Sequence, residues 1–196
     1  MHLVFDIFQG LGIAAAVGIR PFLPALAVGA LAAGDIQIDF TGSGFAFLQG
    51  PPFLAVMVLG AILIALAERR LGQDKVDRGP LALALGAVAV VLAALLFAGS
   101  LARGHYLSWP GYIGGALCAA VGIAATRPLL SRVRARLDAG SAAALPLYAE
   151  VGAMLSAALS VLLPPVGLIV LALLLWLLFG GRGRDQQKYA GLRILR

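Results

Sequence analysis

The sequence predicts an all-α integral membrane protein: a six-helix transmembrane bundle with a broken first helix. Three observations carry that expectation. Of 196 residues, 61% are hydrophobic and only 12% charged, against about 45–50% and about 25% in an ordinary soluble domain. Several long stretches contain no Asp, Glu, Lys or Arg, and the mean hydropathy is +0.98. The charges, a net +6 with a pI near 10.2, fall between those stretches. That placement points the basic excess at a lipid bilayer and not at nucleic acid. A soluble domain and a disordered chain are excluded by the same composition. A disulfide scaffold is excluded because Cys118 has no second cysteine to pair with; it reads as a small packing residue in a Gly/Ala-rich run.

A helix needs about 20 apolar residues to cross the hydrocarbon core. Phe40–Ala67, Gly79–Ala102 and Gly104–Thr126 meet that length without a charge. Val151–Gly181 is also uncharged, but Pro164-Pro165 fix the backbone and remove two donors, so it divides into two helices at a tight turn. Leu3–Ala33 is apolar except for Asp6 and Arg20, contains Pro21 and Pro24, and reads as one long broken helix. The expected helices are therefore about 3–33, 48–68, 80–102, 110–130, 142–163 and 165–181, a single transmembrane domain over 1–181 followed by a basic tail, 182–196. The leading segment has no Lys or Arg, so it is expected to be retained and not cleaved as a signal peptide.

Cytoplasmic loops hold the excess of Lys and Arg. With six helices, the loop carrying Arg69, Arg70, Lys75 and Arg78, the segment carrying Arg127, Arg132, Arg134 and Arg136, and the tail all fall on one side. Both termini are then cytoplasmic, with Tyr106, Trp109 and Tyr112 at the outer interface and Trp176 near the inner one; seven helices, with the first segment cut at Arg20, would put the three basic segments and the acidic first loop on the wrong sides. The tail reads as an anchor on anionic lipid.

Two segments look alike. Ala14-Ala15-Ala16-Val17-Gly18-Ile19-Arg20-Pro21 and Ala119-Ala120-Val121-Gly122-Ile123, followed by Arg127-Pro128, each open a group of three helices with an acid in the second, Glu68 and Glu150. Three is odd, so 3–102 and 110–181 are expected to form an inverted repeat, an arrangement that places transporter sites at the repeat interface.

Charge at bilayer depth costs at least about 2.5–3.5 kcal/mol, so Arg20 needs a partner. Gly18, Pro21 and Pro24 mark a helix break beside it, where freed carbonyls also need donors. Glu150, one turn past Pro146, is the natural partner of Arg20 or of Arg127. Arg20, Glu150, Glu68 and Arg127 are the candidate lining of a substrate or ion pathway, and Asp74, Lys75 and Asp77 a candidate cytoplasmic vestibule. Ala14 to Gly18, Ala82 to Gly86 and Gly115 to Ala119 have the spacing of close helix packing, which also allows a homo-oligomer.

No enzyme is expected. His-Glu-x-x-His and Gly-x-x-x-x-Gly-Lys are absent from the sequence, His2 and His105 fall at opposite faces, and Thr41-Gly42-Ser43-Gly44 reads as a flexible connector. No cofactor or metal is expected, and the partners are the bilayer and a small-molecule or lipid substrate.

Gly18 to Pro24, the Phe47-Leu48 to Pro52 entry to the second helix, Glu68 with Asp74-Lys75 and Asp77, Ala125-Thr126-Arg127-Pro128-Leu129, Glu150, and Trp176-Leu177 before a basic tail occur in one order along nearly the whole chain. In this the chain resembles the bacterial membrane proteins called domain of unknown function 4126. It departs from their pattern at Asp138-Ala139-Gly140-Ser141 and at Pro164-Pro165. The resemblance implies a multi-pass protein of the bacterial cytoplasmic membrane and singles out the same Arg and Glu residues. It implies no particular activity. The two function classes that follow are a small secondary transporter or permease, and a non-transporting scaffold or assembly factor in which the same charges hold helices together.

Overall fold

The computed structural model describes residues 2–72, 76 and 79–190, and among these every regular element is helical. The helices are α1 (His2–Ile19), α2 (Phe22–Ala33), α3 (Pro51–Leu71), α4 (Pro80–Arg103), α5 (Trp109–Arg134), α6 (Ala139–Leu162) and α7 (Pro164–Ala190), with a 3-10 turn at Ala46–Gln49 before α3. Local chemistry sets their starts. Pro51, Pro80 and Pro110 occupy first-turn positions, where the missing N–H would have had no helical partner. Asp138 caps α6 by accepting from the Ser141 N–H at 3.1 Å. Hydrogen bonding from the Ser141 side chain, and then from its N–H, holds the Asp138 carboxyl below its ordinary range. Four helices, α3 to α6, are long and apolar enough to cross a membrane; the apolar parts of α1, α2 and α7 are shorter.

The expected long broken first helix is instead a hairpin. Pro21 cannot donate to the Val17 carbonyl, α1 ends at Ile19, and α2 runs back. Its direction follows from Arg103, which bonds the Gln37 carbonyl just beyond α2 and also pairs with Asp6 near the start of α1. The bundle therefore has seven helices among the described residues, not six. α2 is only 12 residues, about 18 Å, and does not match the roughly 30 Å of a hydrocarbon core. The chain from Gly34 to Gln49 completes that layer, burying Ile38, Phe40, Phe45 and Leu48. Asp39 fastens this segment: bonded by the Thr41 side chain, the Thr41 N–H and Gln49, its carboxyl lies below the usual range.

Two further expectations change with the count. The start of α1 and the end of α7 near Gly180 lie at opposite ends of the bundle, because Gly180 sits beside Arg132 and Arg136 while Asp6 sits beside Arg103. Arg69 and Arg70 in the last turn of α3 and Arg132 and Arg134 in that of α5 lie at the same end of the bundle as Arg20. The inverted repeat is likewise not formed as expected. Residues 3–102 contain four helices among the described residues, and α5 enters from the same end as α1. The two look-alike segments run parallel and touch: a Cβ on Gly18 would stand 2.5 Å from the Ala119 carbonyl oxygen, and one on Gly122 2.6 Å from that of Ala15. The tail, expected as a separate unit, continues α7 as far as Ala190. Residues 191–196 lie outside the described residues.

α1 is the post around which the rest is arranged, packing against α4, α5, α6 and α7. Residues 12–18 are all buried. Small side chains make this possible: Gly12 meets Ser160 and Gly167, and Gly115 of α5 meets Ala93 and Ala94 of α4. Where backbones approach this closely, dispersion and not hydrophobic exclusion holds helices together in lipid. Gly152 on α6 faces open space. Gly18→Ala is therefore expected to lower the thermal midpoint in detergent by the equivalent of about 1–3 kcal/mol of overpacking. Gly152→Ala is expected to leave it unchanged or raise it by up to about 1 kcal/mol through helix propensity. Thermal unfolding followed by helical circular dichroism checks both.

Candidate functional site

The reversal at Arg20-Pro21 brings the candidate charges together at the basic end of the bundle. The Arg20 N–H still bonds the Ala16 carbonyl, so the residue closes α1 before the chain turns. Pro21 then takes the N-cap position of α2, and Pro24 lies in its first turn, where a missing N–H costs no helical bond. Gly18, expected as part of the break, serves instead as the contact with Ala119. The Arg20 side chain folds inward and is 7% exposed.

Its guanidinium meets two carboxylates from two different helices. Nη1 donates to Glu68 Oε1 at 2.7 Å, a charge-assisted hydrogen bond to the last turns of α3. Nε lies 3.8 Å from Glu150 Oε1 on α6, within ion-pair range but beyond a hydrogen bond. The other Glu150 oxygen, Oε2, is buried without a hydrogen-bond partner. One positive charge thus stands between two negative ones, bonded to the first and only attracted to the second. Arg20–Glu150, one of the two pairings expected, is present as the looser contact. Glu68, expected only as a lining residue, is the principal partner.

Arg127 does not meet Glu150. Its Nη2 donates to the Ala82 carbonyl at 2.8 Å, and Gly86 leaves room for it: a Cβ there would stand 3.3 Å from the same nitrogen. Asp74, Lys75 and Asp77 of the expected vestibule lie outside the described residues.

A cavity lies on each side of the cluster. One of about 900 Å³ opens between α3 and α6, walled by Leu23, Pro146, Glu68, Glu150 and Arg134. One of about 370 Å³ lies between α1, α4 and α5, walled by Arg20, Arg127 and Arg134 with Thr126 and Ser131. Arg20 faces the second and its carboxylates face the first, with Arg134 common to both.

A second ionic cluster occupies the other end of α1. Asp6, 3% exposed, pairs with Arg103, which also donates to the Gln37 carbonyl at 2.6 Å, joining α1, α4 and the segment after α2. Nearby, the Gln9 amide donates to the Val161 carbonyl at 3.1 Å. Sequence reasoning did not pair Asp6 with Arg103. The signal was a lone acid in an apolar segment and a lone base at the acidic end, which become neighbours only once the N-terminus is placed there.

No family model matches the chain, and no curated protein or solved structure matches it. The site stands on its own geometry.

The unequal distances make the coupling testable. In double-mutant cycles the Arg20–Glu68 pair is expected to show the larger interaction energy, toward about 3 kcal/mol, and Arg20–Glu150 the smaller, nearer about 0.5 kcal/mol. Thermal or denaturant unfolding of Arg20→Gln, Glu68→Gln, Glu150→Gln and the two double variants gives both values. Equal couplings would contradict the assigned geometry.

Proposed function

We propose that the protein is a small permease of the bacterial cytoplasmic membrane in which Arg20 acts as an exchangeable closure. The observation that carries this reading is a buried guanidinium, that of Arg20, between two carboxylates on separate helices, 2.7 Å from one and 3.8 Å from the other, with a cavity on either side. A structural ion pair needs one acid. A second acid within reach gives the cation another place to go, and a movement of about 1 Å is enough to exchange them. Transferring Arg20 from Glu68 to Glu150 releases α3 from α1 and lets the larger cavity widen. The Asp6–Arg103 clamp closes the opposite end meanwhile, so the two ends can open in turn. A hairpin of two short apolar helices with polar groups at its turn resembles the discontinuous helices that transporters use for sites inside a membrane. The basic loops and the end of α7 then face the cytoplasm, and the start of α1 faces outward.

The alternative, a non-transporting scaffold, is favoured by the tightness of the Arg20–Glu68 contact, which serves equally well as a fixed fastening between α1 and α3. Reconstituted full-length protein separates the two. Proteoliposomes are tested for uptake of labelled phosphate, a short-chain carboxylate and a short-chain phospholipid. A permease is expected to carry at least one of them, with Arg20→Lys and Glu150→Gln falling to background while their thermal midpoints stay near that of the wild type. Wild-type flux in both variants removes Arg20 and Glu150 from the pathway. Silence of the wild type for every solute, with variants that only lose stability, leaves the scaffold.

A further inference from the structure

α5 and α7 pack against each other, and near the basic end of the bundle a groove of about 240 Å³ opens between them. Its α5 wall is Leu129, Arg132, Val133 and Arg136, the i, i+3, i+4 and i+7 positions of one helix face. Arg136 lies just past α5, where its N–H still bonds the Val133 carbonyl at 3.0 Å and carries the turn on. Trp176, Leu177 and Gly180 form the α7 wall. Neither cavity beside Arg20 shares a wall residue with this groove.

The two arginines are four residues apart and so stand side by side on that face. Arg132 Nε donates to the Pro128 carbonyl at 3.1 Å, which leaves its two Nη groups for another partner. Among the described residues no carboxylate pairs with Arg132 or Arg136. Asp138, the acid nearest to them in sequence, is taken up in capping α6. Side chains beyond Gly180 lie outside the described ones; the sequence there holds Arg182, Arg184, Lys188, Arg193 and Arg196 against Asp185 alone, so its sum is basic.

Polarity changes along the groove in one direction. Leu129, Val133 and Leu177 are apolar and half-buried, whereas both arginines are exposed where α5 ends. Leu129 and Arg136 are seven residues apart, about 10 Å along the axis, the scale on which a bilayer passes from acyl chain to headgroup. Trp176, 72% exposed on the facing wall, has the apolar ring and polar N–H of an interfacial residue. A free anion would use the arginines and leave the apolar wall idle; an uncharged lipid would do the reverse. A phospholipid with a negative headgroup uses both. The C-terminal carbonyls of α5 repel an anion, so the arginine side chains must supply the hold.

We infer that the groove between α5 and α7 seats an anionic phospholipid, its phosphate on Arg132 and Arg136 and an acyl chain along Leu129, Val133 and Leu177. A seated lipid ties the end of α5 to α7, in a permease and in a scaffold alike.

Trp176 makes the site readable, because bromine on a nearby acyl chain quenches tryptophan fluorescence. Full-length Trp109→Phe protein, which keeps Trp176 as its one tryptophan, is reconstituted in phosphatidylcholine vesicles. Dibrominated phosphatidylglycerol replaces a rising share of the lipid, with dibrominated phosphatidylcholine as the reference series. Phosphatidylglycerol is expected to quench at the lower share, with a preference of about fivefold for each arginine. Arg132→Gln and Arg136→Gln should each lower that preference about fivefold, and the double variant should abolish it. Arg70→Gln, at the same end in the last turn of α3 and outside the groove, should keep it. Trp176→Phe protein leaves the arginines intact and reports from Trp109 at the other end of α5, where no preference is expected. Equal quenching of Trp176 by the two lipids, an equal preference at Trp109, or an equal loss in Arg70→Gln overturns the site. Reversal of the quenching by inorganic phosphate, which has no acyl chain, assigns the groove to a solute and overturns the lipid.

Discussion

A guanidinium cannot be left alone in an apolar bundle, and the basic end of this protein is organised around that constraint. Arg20 stands at the end of the most buried helix, immediately before a residue that cannot continue the backbone ladder. The chain must turn there, and the turn must supply anions. α3 brings Glu68 and α6 brings Glu150, so the positions of two otherwise unconnected helices are set by one side chain. Removing one partner from such a buried pair is costed at about 3–5 kcal/mol, several times a typical surface ion pair. The arrangement is thus a strong determinant of how the helices assemble, whatever it does once they have.

The second constraint is close approach. Helix association in lipid gains little from exclusion of water, so α1 must make its contacts by shape. Its neighbours come near enough that backbone atoms of Ala15 and Ala119 occupy the space a side chain would take on Gly122 and Gly18. A post built of alanine and glycine has few interlocking knobs.

Much of this was written in the sequence, in proportion to how local each feature is. Uncharged runs bounded by prolines located α3, α4, α5 and α6 to within a few residues, because helix length and first-turn proline are properties of a short window. Arg20 and Glu150 were found by a cost argument that needs no geometry. The reversal at Arg20-Pro21 was legible only as the seven-helix alternative that charge placement disfavours, since hydropathy and proline spacing are the same for a helix that kinks and one that doubles back. That single ambiguity joined α1 and α2 into one span, turned a parallel packing of Gly18 on Ala119 into an expected inverted repeat, and hid the Asp6–Arg103 pair. Glu68 as the main partner of Arg20 was equally out of reach, because it depends on where α3 ends in space and not on its own neighbours.

The two ionic clusters on α1 are not equivalent. Asp6 and Arg20 lie fourteen residues apart, about 21 Å along the axis, with the acid toward the N-terminal end and the base at the C-terminal end. Both signs agree with the helix dipole. Arg103 also agrees with its own dipole, standing at the C-terminal end of α4. Glu68 does not: a carboxylate in the last turn of α3 faces the negative end of that helix and depends on Arg20 to hold it there. The Asp6–Arg103 clamp is therefore favoured by both of its helices, whereas the Arg20–Glu68 contact is favoured by one and opposed by the other. Arg20 has, in addition, a second acid to turn to. The ion pair at the basic end is accordingly the one less supported by its own helices, and it is the end where both cavities lie.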